Sequence, residues 1–105
     1  MIKIESIIES IKEGRIRITD HADEEATNDG ISFDEIFESI PTGEIIEQYP
    51  DDKPYPSCLI LSKNIKDEPI HSVWAYNYAT KASALITVYR PDPKQWIDGK
   101  VRRKP

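Results

Sequence analysis

Two histidines, His21 and His71, are the side chains of this sequence that could move protons near neutral pH. An unperturbed imidazole titrates in that range, so each can act as an acid or a base. Tyr89 and Arg90 follow each other in a strand-like run, where they could donate to a phosphate and neutralise its charge. These four groups could together cleave a phosphodiester by acid–base chemistry with side chains alone.

The sequence contains few residues that could form a metal site or supply a nucleophilic cysteine. With two histidines and a single cysteine, Cys58, no zinc cluster of familiar spacing can be assembled. His21 and Glu25 share a helix face at i, i+4, but a third ligand is missing nearby. We therefore expect no metal and no cofactor. Cys58 lies in the apolar run SCLIL, where a buried thiol behaves as a small hydrophobe rather than a nucleophile.

A chain of 105 residues forms one domain by length, 1–105. Its charge is divided unequally between its two halves. Residues 1–52 carry a net charge of −11 and residues 53–105 a net charge of +6, including a basic tail, 99–105, that we expect to be frayed. A polyanion should therefore meet the second half of the chain. The acidic helix faces of the first half are also explained by simple solvation.

The composition and the first residues predict a soluble, cytoplasmic protein. With 38% hydrophobic and 31% charged residues, the chain resembles globular rather than disordered proteins. The opening MIKIESIIES lacks a long apolar core and a small-residue cleavage site, which argues against a signal peptide. No window approaches the roughly 20 apolar residues of a membrane span.

The elements that must position the candidate groups begin with an amphipathic helix. Isoleucines recur with the i, i+3, i+4, i+7 spacing of one helix face and predict a helix over 2–13. Gly14 is placed to end it in a left-handed conformation. The following RIRIT alternates charged residues with isoleucine and predicts a short extended segment.

Two further helices are predicted from capping residues. Thr19 or Asp20 can cap a helix that runs through Asn28, since both residue types accept from free backbone N–H groups. Ser32 is followed three residues later by Glu35, which is the spacing of a capping box. That pair predicts the start of a third helix, and Pro41 ends it.

The second half of the chain changes to an extended rhythm. Four strand-like runs are separated by connections of hairpin length rich in Pro, Asp and Lys: EIIEQY at 44–49, SCLILSK at 57–63, PIHSVWAY at 69–76 and ALITVYR at 84–90. Helices followed by strands in this order predict an α+β domain. We expect the N-terminal helices to pack on one face of a twisted antiparallel sheet of about four strands.

Alternation along the strands distributes the candidate side chains between the two faces. His71 should share a face with Val73, and Tyr89 should share one with Leu85 while Arg90 points the other way. The sequence alone does not say which face is the core. Whether His71, Tyr89 and Arg90 converge therefore stays open at this stage.

Six short motifs give the chain a family resemblance: TDHA at 19–22, GIS at 30–32, GEIIEQYPDD at 43–52, PYPSCL at 54–59, PIH at 69–71 and ITVYRPDPKQW at 86–96. With these motifs the chain resembles the prokaryotic uncharacterised domain family 4258 (DUF4258) over about residues 15–103. That family in turn resembles the RelE/ParE-like toxin ribonucleases of toxin–antitoxin pairs. The resemblance implies a RelE-like α+β fold and metal-independent endoribonuclease activity, in which the 2′-hydroxyl of RNA attacks the adjacent phosphate.

The resemblance also implies roles for particular residues and a partner. His21 and His71 would supply the base and the acid, with Tyr89 as a further donor, and the RNA-binding cations would be Arg90, Lys81, Arg102 and Arg103. The partner would be a small antitoxin protein, in some relatives of zinc-finger type. All of this requires the two imidazoles, fifty positions apart, to come together over an open surface.

Two departures from the usual motifs point to a different function. Glu25 and Asp29 stand where the resemblance leads us to expect arginines, so two positive charges have become negative. If those arginines contact phosphate in relatives, RNA binding would be weakened here. The alternative is a catalytically silent protein-interaction module of the same fold, whose acidic helices bind a basic partner.

Overall fold

The structure, a computed structural model, describes residues 1–104; Pro105, the last residue of the predicted basic tail, lies outside the described residues. Three helices lie in the first half of the chain: α1 (Ile4–Lys12), α2 (Asp20–Asn28) and α3 (Phe33–Ser39), which continues into a 3₁₀ turn, Ile40–Thr42. None of the helices in residues 1–104 has the length and apolarity that crossing a bilayer requires. All three predicted helices are confirmed.

Seven strands complete the chain: β1 (Ile16–Ile18), β2 (Glu44–Tyr49), β3 (Ser57–Lys63), β4 (Pro69–Asn77), β5 (Ala82–Tyr89), β6 (Trp96–Ile97) and β7 (Val101–Arg102). Strands β1 to β5 form one sheet in the order β1-β5-β4-β3-β2, and β6 and β7 form a separate two-stranded hairpin. The α+β class predicted from the sequence is confirmed.

The helix boundaries follow the capping residues. Thr19 caps α2: its hydroxyl oxygen accepts from the Ala22 N–H at 3.1 Å, and the hydroxyl also donates toward the Leu85 carbonyl, 3.1 Å away on β5. The Ser32 hydroxyl accepts from the Glu35 N–H at 3.1 Å and starts α3. Thr19 therefore fixes the start of α2 and its position on the sheet with one side chain.

The sheet differs from the predicted antiparallel sheet of about four strands. The RIRIT segment contains β1, which pairs parallel to β5 at one edge, so the sheet has five strands and is mixed. Ile16 lies opposite Ser83, a partner far along the chain. Parallel neighbours need a long crossover connection, and no local sequence signal identifies them.

The main core lies between the helices and one face of the sheet. Its fully buried side chains come from the helical segments and from the three central strands β3, β4 and β5: Ile7, Ile36, Ile40, Cys58, Ile60, Ile70, Trp74, Leu85 and Val88. Cys58 is a core residue, as expected, and burial raises the pKa of its thiol to about 12. The thiol is therefore kept protonated and unreactive.

A β-bulge between β4 and β5 changes the predicted division of faces. Val73 lies opposite Thr87 and Trp74 opposite Leu85, which leaves Ile86 as an extra residue on β5. Leu85 therefore faces the main core, and the expectation that it shares a face with Tyr89 is wrong. An inserted residue reverses the alternation on one side of it.

The C-terminal hairpin, residues 96–102, covers part of the opposite side of the sheet, which we call the second face. Trp96 is 3% exposed, and Leu59 and Leu61 beneath the hairpin are also buried. Asp98 and Gly99 both have positive φ, at 53° and 69°, in the short turn between the paired residues Ile97 and Val101. The expectation of a frayed tail is wrong for this segment, because its strands pair with each other and its tryptophan packs on the sheet.

Candidate functional site

The second face carries a group of polar side chains beside the C-terminal hairpin. They come from β2, β4, β5 and β7 and form the second-face cluster: Glu47, Tyr49, His71, Tyr89 and Arg102. The three outer groups bind one another, and the two inner groups form a hydrogen-bonded chain beneath the hairpin. Two of the five, Glu47 and Tyr49, belong to β2. Their side chains lie on the same face of that strand because they are two residues apart.

Glu47 is the centre of the outer part of the cluster. Arg102 donates to it through two nitrogens, with Nε 2.9 Å from Oε2 and Nη2 3.1 Å from Oε1. The Tyr49 hydroxyl donates to Oε1 of the same carboxylate. The Arg102 guanidinium also lies 4.6 Å from the centroid of the Trp96 ring, in a cation–π contact. Carboxylate, phenol and guanidinium thus form a single hydrogen-bonded triad.

These contacts fix the protonation states of the triad. The hydrogen bond from Arg102 is the main reason that the pKa of Glu47 lies below its ordinary value, and it outweighs the opposing effect of burial. Burial, helped by the hydrogen bond to Glu47, raises the pKa of Tyr49 to about 12. At neutral pH Glu47 is therefore an ionised proton acceptor, and Tyr49 is a protonated donor.

His71 lies in the inner part of the cluster and is fully buried. Its Nε2 is 2.5 Å from the Gly99 carbonyl oxygen, which can only accept, so Nε2 carries the hydrogen. Its Nδ1 then accepts from the Tyr89 hydroxyl, 3.2 Å away. The Trp96 ring meets the imidazole edge-on at a centroid distance of 4.5 Å. His71 is therefore held neutral, in one tautomer, by both of its ring nitrogens.

The structure does not bring His21 and His71 together, and the expectation that they converge is wrong. The β4 alternation places His71 on the second face, sealed by the hairpin. His21 is exposed on α2, whose buried residues Ala22 and Ala26 pack into the main core on the other side of the sheet. The sheet itself separates the two imidazoles.

Arg90 is also removed from the cluster. Its Nη2 lies 3.4 Å from Glu35 Oε2, its Nε donates to the Asp29 carbonyl at 3.3 Å, and its backbone N–H donates to the Asp29 carboxylate at 2.9 Å. Arg90 lines a cleft of about 430 Å³ between α3 and the turn that joins β3 to β4. Asp29, one of the two departures from the motif, therefore anchors this arginine.

The remaining predicted RNA-binding cations are spread over the surface. Lys81 is exposed in the turn before β5, at the opposite end of that strand from Tyr89. Arg103 is exposed and donates from Nε to the Pro93 carbonyl at 2.8 Å. Of the four cations, only Arg102 belongs to the cluster.

Sequence reasoning missed Glu47 and Tyr49. Their i, i+2 spacing on a predicted strand is the signal that could have found them, since it places a carboxylate and a phenol on one face. The partner that gives them their chemistry, Arg102, lies 55 positions away and is brought in by the hairpin. Among residues 1–104 no three or more His, Cys, Asp or Glu side chains are grouped so as to hold a metal ion.

The buried imidazole predicts a pH dependence of stability. Burial is the main reason that the pKa of His71 lies below its ordinary value of 6.5 in the folded chain. Below about pH 6.5 the unfolded chain binds a proton that the folded chain does not, so the free energy of unfolding decreases as the pH falls until the lowered pKa is reached. Above about pH 6.5, His71 is neutral in both the folded and the unfolded chain, so its contribution to the free energy of unfolding is constant.

Urea unfolding midpoints, measured between about pH 7.5 and about pH 5, check this expectation. His71→Gln should flatten the dependence in that window, whereas His21→Gln should retain it, since the His21 side chain is exposed. The stabilising contribution of Glu47 is constant over this window and is lost only as the pH falls below about 4.5, because its pKa is lowered from that value. A wild-type midpoint that stays constant over the window would contradict a neutral, buried His71.

One family model matches the chain: it is described as "Domain of unknown function (DUF4258)" and covers residues 18–90. The matched region begins at the end of β1 and extends one residue beyond β5, so it includes the first four members of the cluster and stops before the hairpin that supplies Arg102. No curated protein and no solved structure matches the chain.

Proposed function

Because the chain belongs to the DUF4258 family, whose description as a domain of unknown function assigns no activity, we propose a function from the second-face cluster: cleavage of RNA, as an endoribonuclease of the toxin type. The single observation that carries the proposal is the hydrogen-bonded triad of Tyr49, Glu47 and Arg102. A carboxylate base, a phenolic donor and a guanidinium are the three kinds of group that 2′-hydroxyl attack on a phosphodiester needs.

The proposed reaction assigns one role to each member of the triad. Glu47 accepts the proton of the 2′-hydroxyl while the 2′-oxygen forms a bond to phosphorus, and Arg102 neutralises the charge on the phosphate oxygens. Tyr49 gives its proton to the leaving 5′-oxygen as the bond from phosphorus to that oxygen breaks. The products are a 2′,3′-cyclic phosphate and a 5′-hydroxyl. Glu47 then returns its proton to Tyr49 through the hydrogen bond that joins them, and no metal takes part.

Accessibility favours this triad over the histidines. The Glu47 side chain is 26% exposed and that of Arg102 is 60% exposed, whereas His71 is fully buried. In the proposed reaction His71 is a positioning residue, because it holds the Gly99 carbonyl of the hairpin and the Tyr89 hydroxyl in place. His21 has no role in this reaction.

Binding of RNA would activate the base. A phosphate that takes the donors of Arg102 removes the main cause of the low pKa of Glu47. The carboxylate then becomes a stronger base at the moment when the substrate is present. Coulomb attraction to the exposed cations of the hairpin, Lys100 and Arg102, would also favour binding of the phosphates at this place.

The proposed partners are RNA and a small antitoxin protein. The toxin reading draws on the resemblance of the chain's motifs to RelE/ParE-like toxins, in which a neighbouring gene encodes the antitoxin. An antitoxin that covers the second face would block Glu47 and Arg102 together. A zinc-finger antitoxin is one form that such a partner takes.

A labelled, structured RNA, incubated with the purified protein at low salt and with a chelator present, tests the proposal. We expect fragments that end in a 2′,3′-cyclic phosphate, and expression of the chain should arrest growth. Intact RNA over a wide range of protein concentrations would contradict the proposal.

A second function, a catalytically silent protein-interaction module, is favoured by the way Arg90 is held. Asp29 and Glu35 take up the donors of this cation, so it is not free to bind phosphate. The acidic surface of α2 and α3 would then face a basic partner protein. The same RNA assay separates the two functions, because an interaction module leaves the RNA intact.

A further inference from the structure

The C-terminal hairpin is held on the sheet by a small set of polar contacts and one aromatic side chain. Lys100 Nζ lies 3.2 Å from Glu44 Oε1, and Arg102 binds Glu47 through two nitrogens. Both carboxylates belong to β2, and both cations belong to the hairpin. Trp96 supplies the apolar contact, against His71. The hairpin is therefore attached in two ways: by ion pairs with the acidic strand β2 at its exposed side, and by the buried Trp96 and the His71 hydrogen bond to the Gly99 carbonyl beneath it.

The surface beneath the hairpin combines buried leucines with the hydrogen-bonded pair of His71 and Tyr89. Leu59 is 1% exposed and Leu61 is 7% exposed, although both lie on the side of the sheet away from the main core. A Cβ on Gly99 would come within 3.5 Å of Leu61 Cδ1, which shows how closely the turn sits on the sheet. Displacing the hairpin would uncover this strip together with His71.

These contacts hold the hairpin on the sheet when no anion is bound, but an anion can weaken the two ion pairs. The Glu44 and Lys100 side chains are each about half exposed, and exposed ion pairs are weak and screened by salt. A phosphate chain competes with both carboxylates for the same two cations, because it offers several anionic oxygens at once. Hairpins with strands this short are not stable by themselves, so a displaced hairpin also loses its own pairing.

We propose that the C-terminal hairpin is an autoinhibitory cover, which a polyanion displaces by taking Lys100 and Arg102 from Glu44 and Glu47. The identification of the natural polyanion as RNA rests on the proposed function. The opening of the hairpin does not depend on it. Opening would uncover the second face and free Glu47 to act as a base, while Arg102 stays bound to the phosphate that has displaced it.

Hydrogen–deuterium exchange of the full chain tests the cover with a probe that cannot be cleaved. A single-stranded 2′-deoxy oligonucleotide has the phosphates of RNA but lacks the attacking hydroxyl. At low salt and saturating oligonucleotide, we expect amide exchange in residues 96–103 to become about threefold faster or more, since the bonds from Arg103 N–H to the Gln95 carbonyl and from Lys100 N–H to the Ile97 carbonyl open. Exchange in α1 should not increase.

Glu44→Gln provides the matched variant, because it removes one tie without changing the triad. It should speed exchange of residues 96–103 about two- to fivefold without any oligonucleotide, as expected for loss of an exposed ion pair. Its control is Glu9→Gln, which removes the exposed pair between α1 and Arg15 on the helix-covered side of the sheet and should leave residues 96–103 unchanged. RNA cleavage by Glu44→Gln should rise by a similar factor.

The outcomes distinguish the cover from the nuclease. Unchanged exchange in residues 96–103 at saturating oligonucleotide would overturn the cover, whatever the cleavage assay gives. Faster exchange together with intact RNA for both wild type and Glu44→Gln would leave the cover standing and overturn the proposed function. Faster exchange with faster cleavage supports both.

Discussion

Glu47→Gln is expected to slow RNA cleavage by about 10²- to 10⁴-fold while the chain stays folded, because an amide cannot accept the 2′-hydroxyl proton. Glutamine has the shape of glutamate and keeps one oxygen that can accept from Tyr49 or Arg102. The hairpin is therefore still held by a hydrogen bond from the Arg102 guanidinium to the glutamine oxygen and by Lys100. The loss of rate then reports proton transfer rather than the loss of the fold.

Single-turnover cleavage of a labelled RNA measures this effect, with circular dichroism as the check on folding. Glu38→Gln, on the exposed side of α3, is the matched control and should leave the rate within about twofold of wild type. Arg102→Lys keeps the charge but loses the two-nitrogen contact with Glu47, so it should weaken RNA binding and disturb the triad. A folded Glu47→Gln variant that cleaves at the wild-type rate would place the base elsewhere.

Local features of the fold were predictable from the sequence because their causes lie within a few residues. Thr19 and Ser32 cap helices through their own hydroxyls, and Gly14, at φ 71°, ends α1 as expected for a residue without a Cβ. The four long strands follow from runs of extended character between turn residues. Each of these decisions is made by neighbours along the chain.

Features that depend on distant partners were not predictable in the same way. The pairing of β1 with β5 joins Ile16 to Ser83, and the bulge at Ile86 is defined only by the register with β4. The position of the hairpin depends on the contact between Trp96 and His71 on the second face. In each case, the residues that determine the feature contact each other in the fold but lie far apart along the chain.

The candidate site illustrates the same limit. Chemical type alone pointed to His71 as an acid or base, but its environment made it a buried, neutral hydrogen-bonding group. Glu47 gained its role from Arg102, which alters its pKa and holds its geometry. Residue type therefore indicated which groups could do chemistry, and only the fold determined which of them are reachable.

Trp74→Ala is expected to reduce the free energy of unfolding by about 3–5 kcal/mol, the usual range for removing a large buried aromatic side chain. Trp74 is fully buried at the centre of β4, with its ring 6.4 Å from that of Phe37. Its Nε1–H donates to the Ser72 hydroxyl at 3.0 Å, so the change also removes a buried hydrogen bond. Urea unfolding followed by circular dichroism measures the change.

Two comparison variants identify the origin of that loss. Trp74→Phe keeps most of the ring volume but not the donor, and should cost about 1–2 kcal/mol. Tyr78→Ala, whose side chain is 54% exposed beyond the end of β4, should cost less than about 1 kcal/mol. Because Trp74 lies on the helix-covered face and His71 on the other, Trp74→Phe should leave the second-face cluster in place. Equal losses for Trp74→Ala and Tyr78→Ala would contradict the assignment of the main core to this face, and with it the argument that the sheet separates the core from the site.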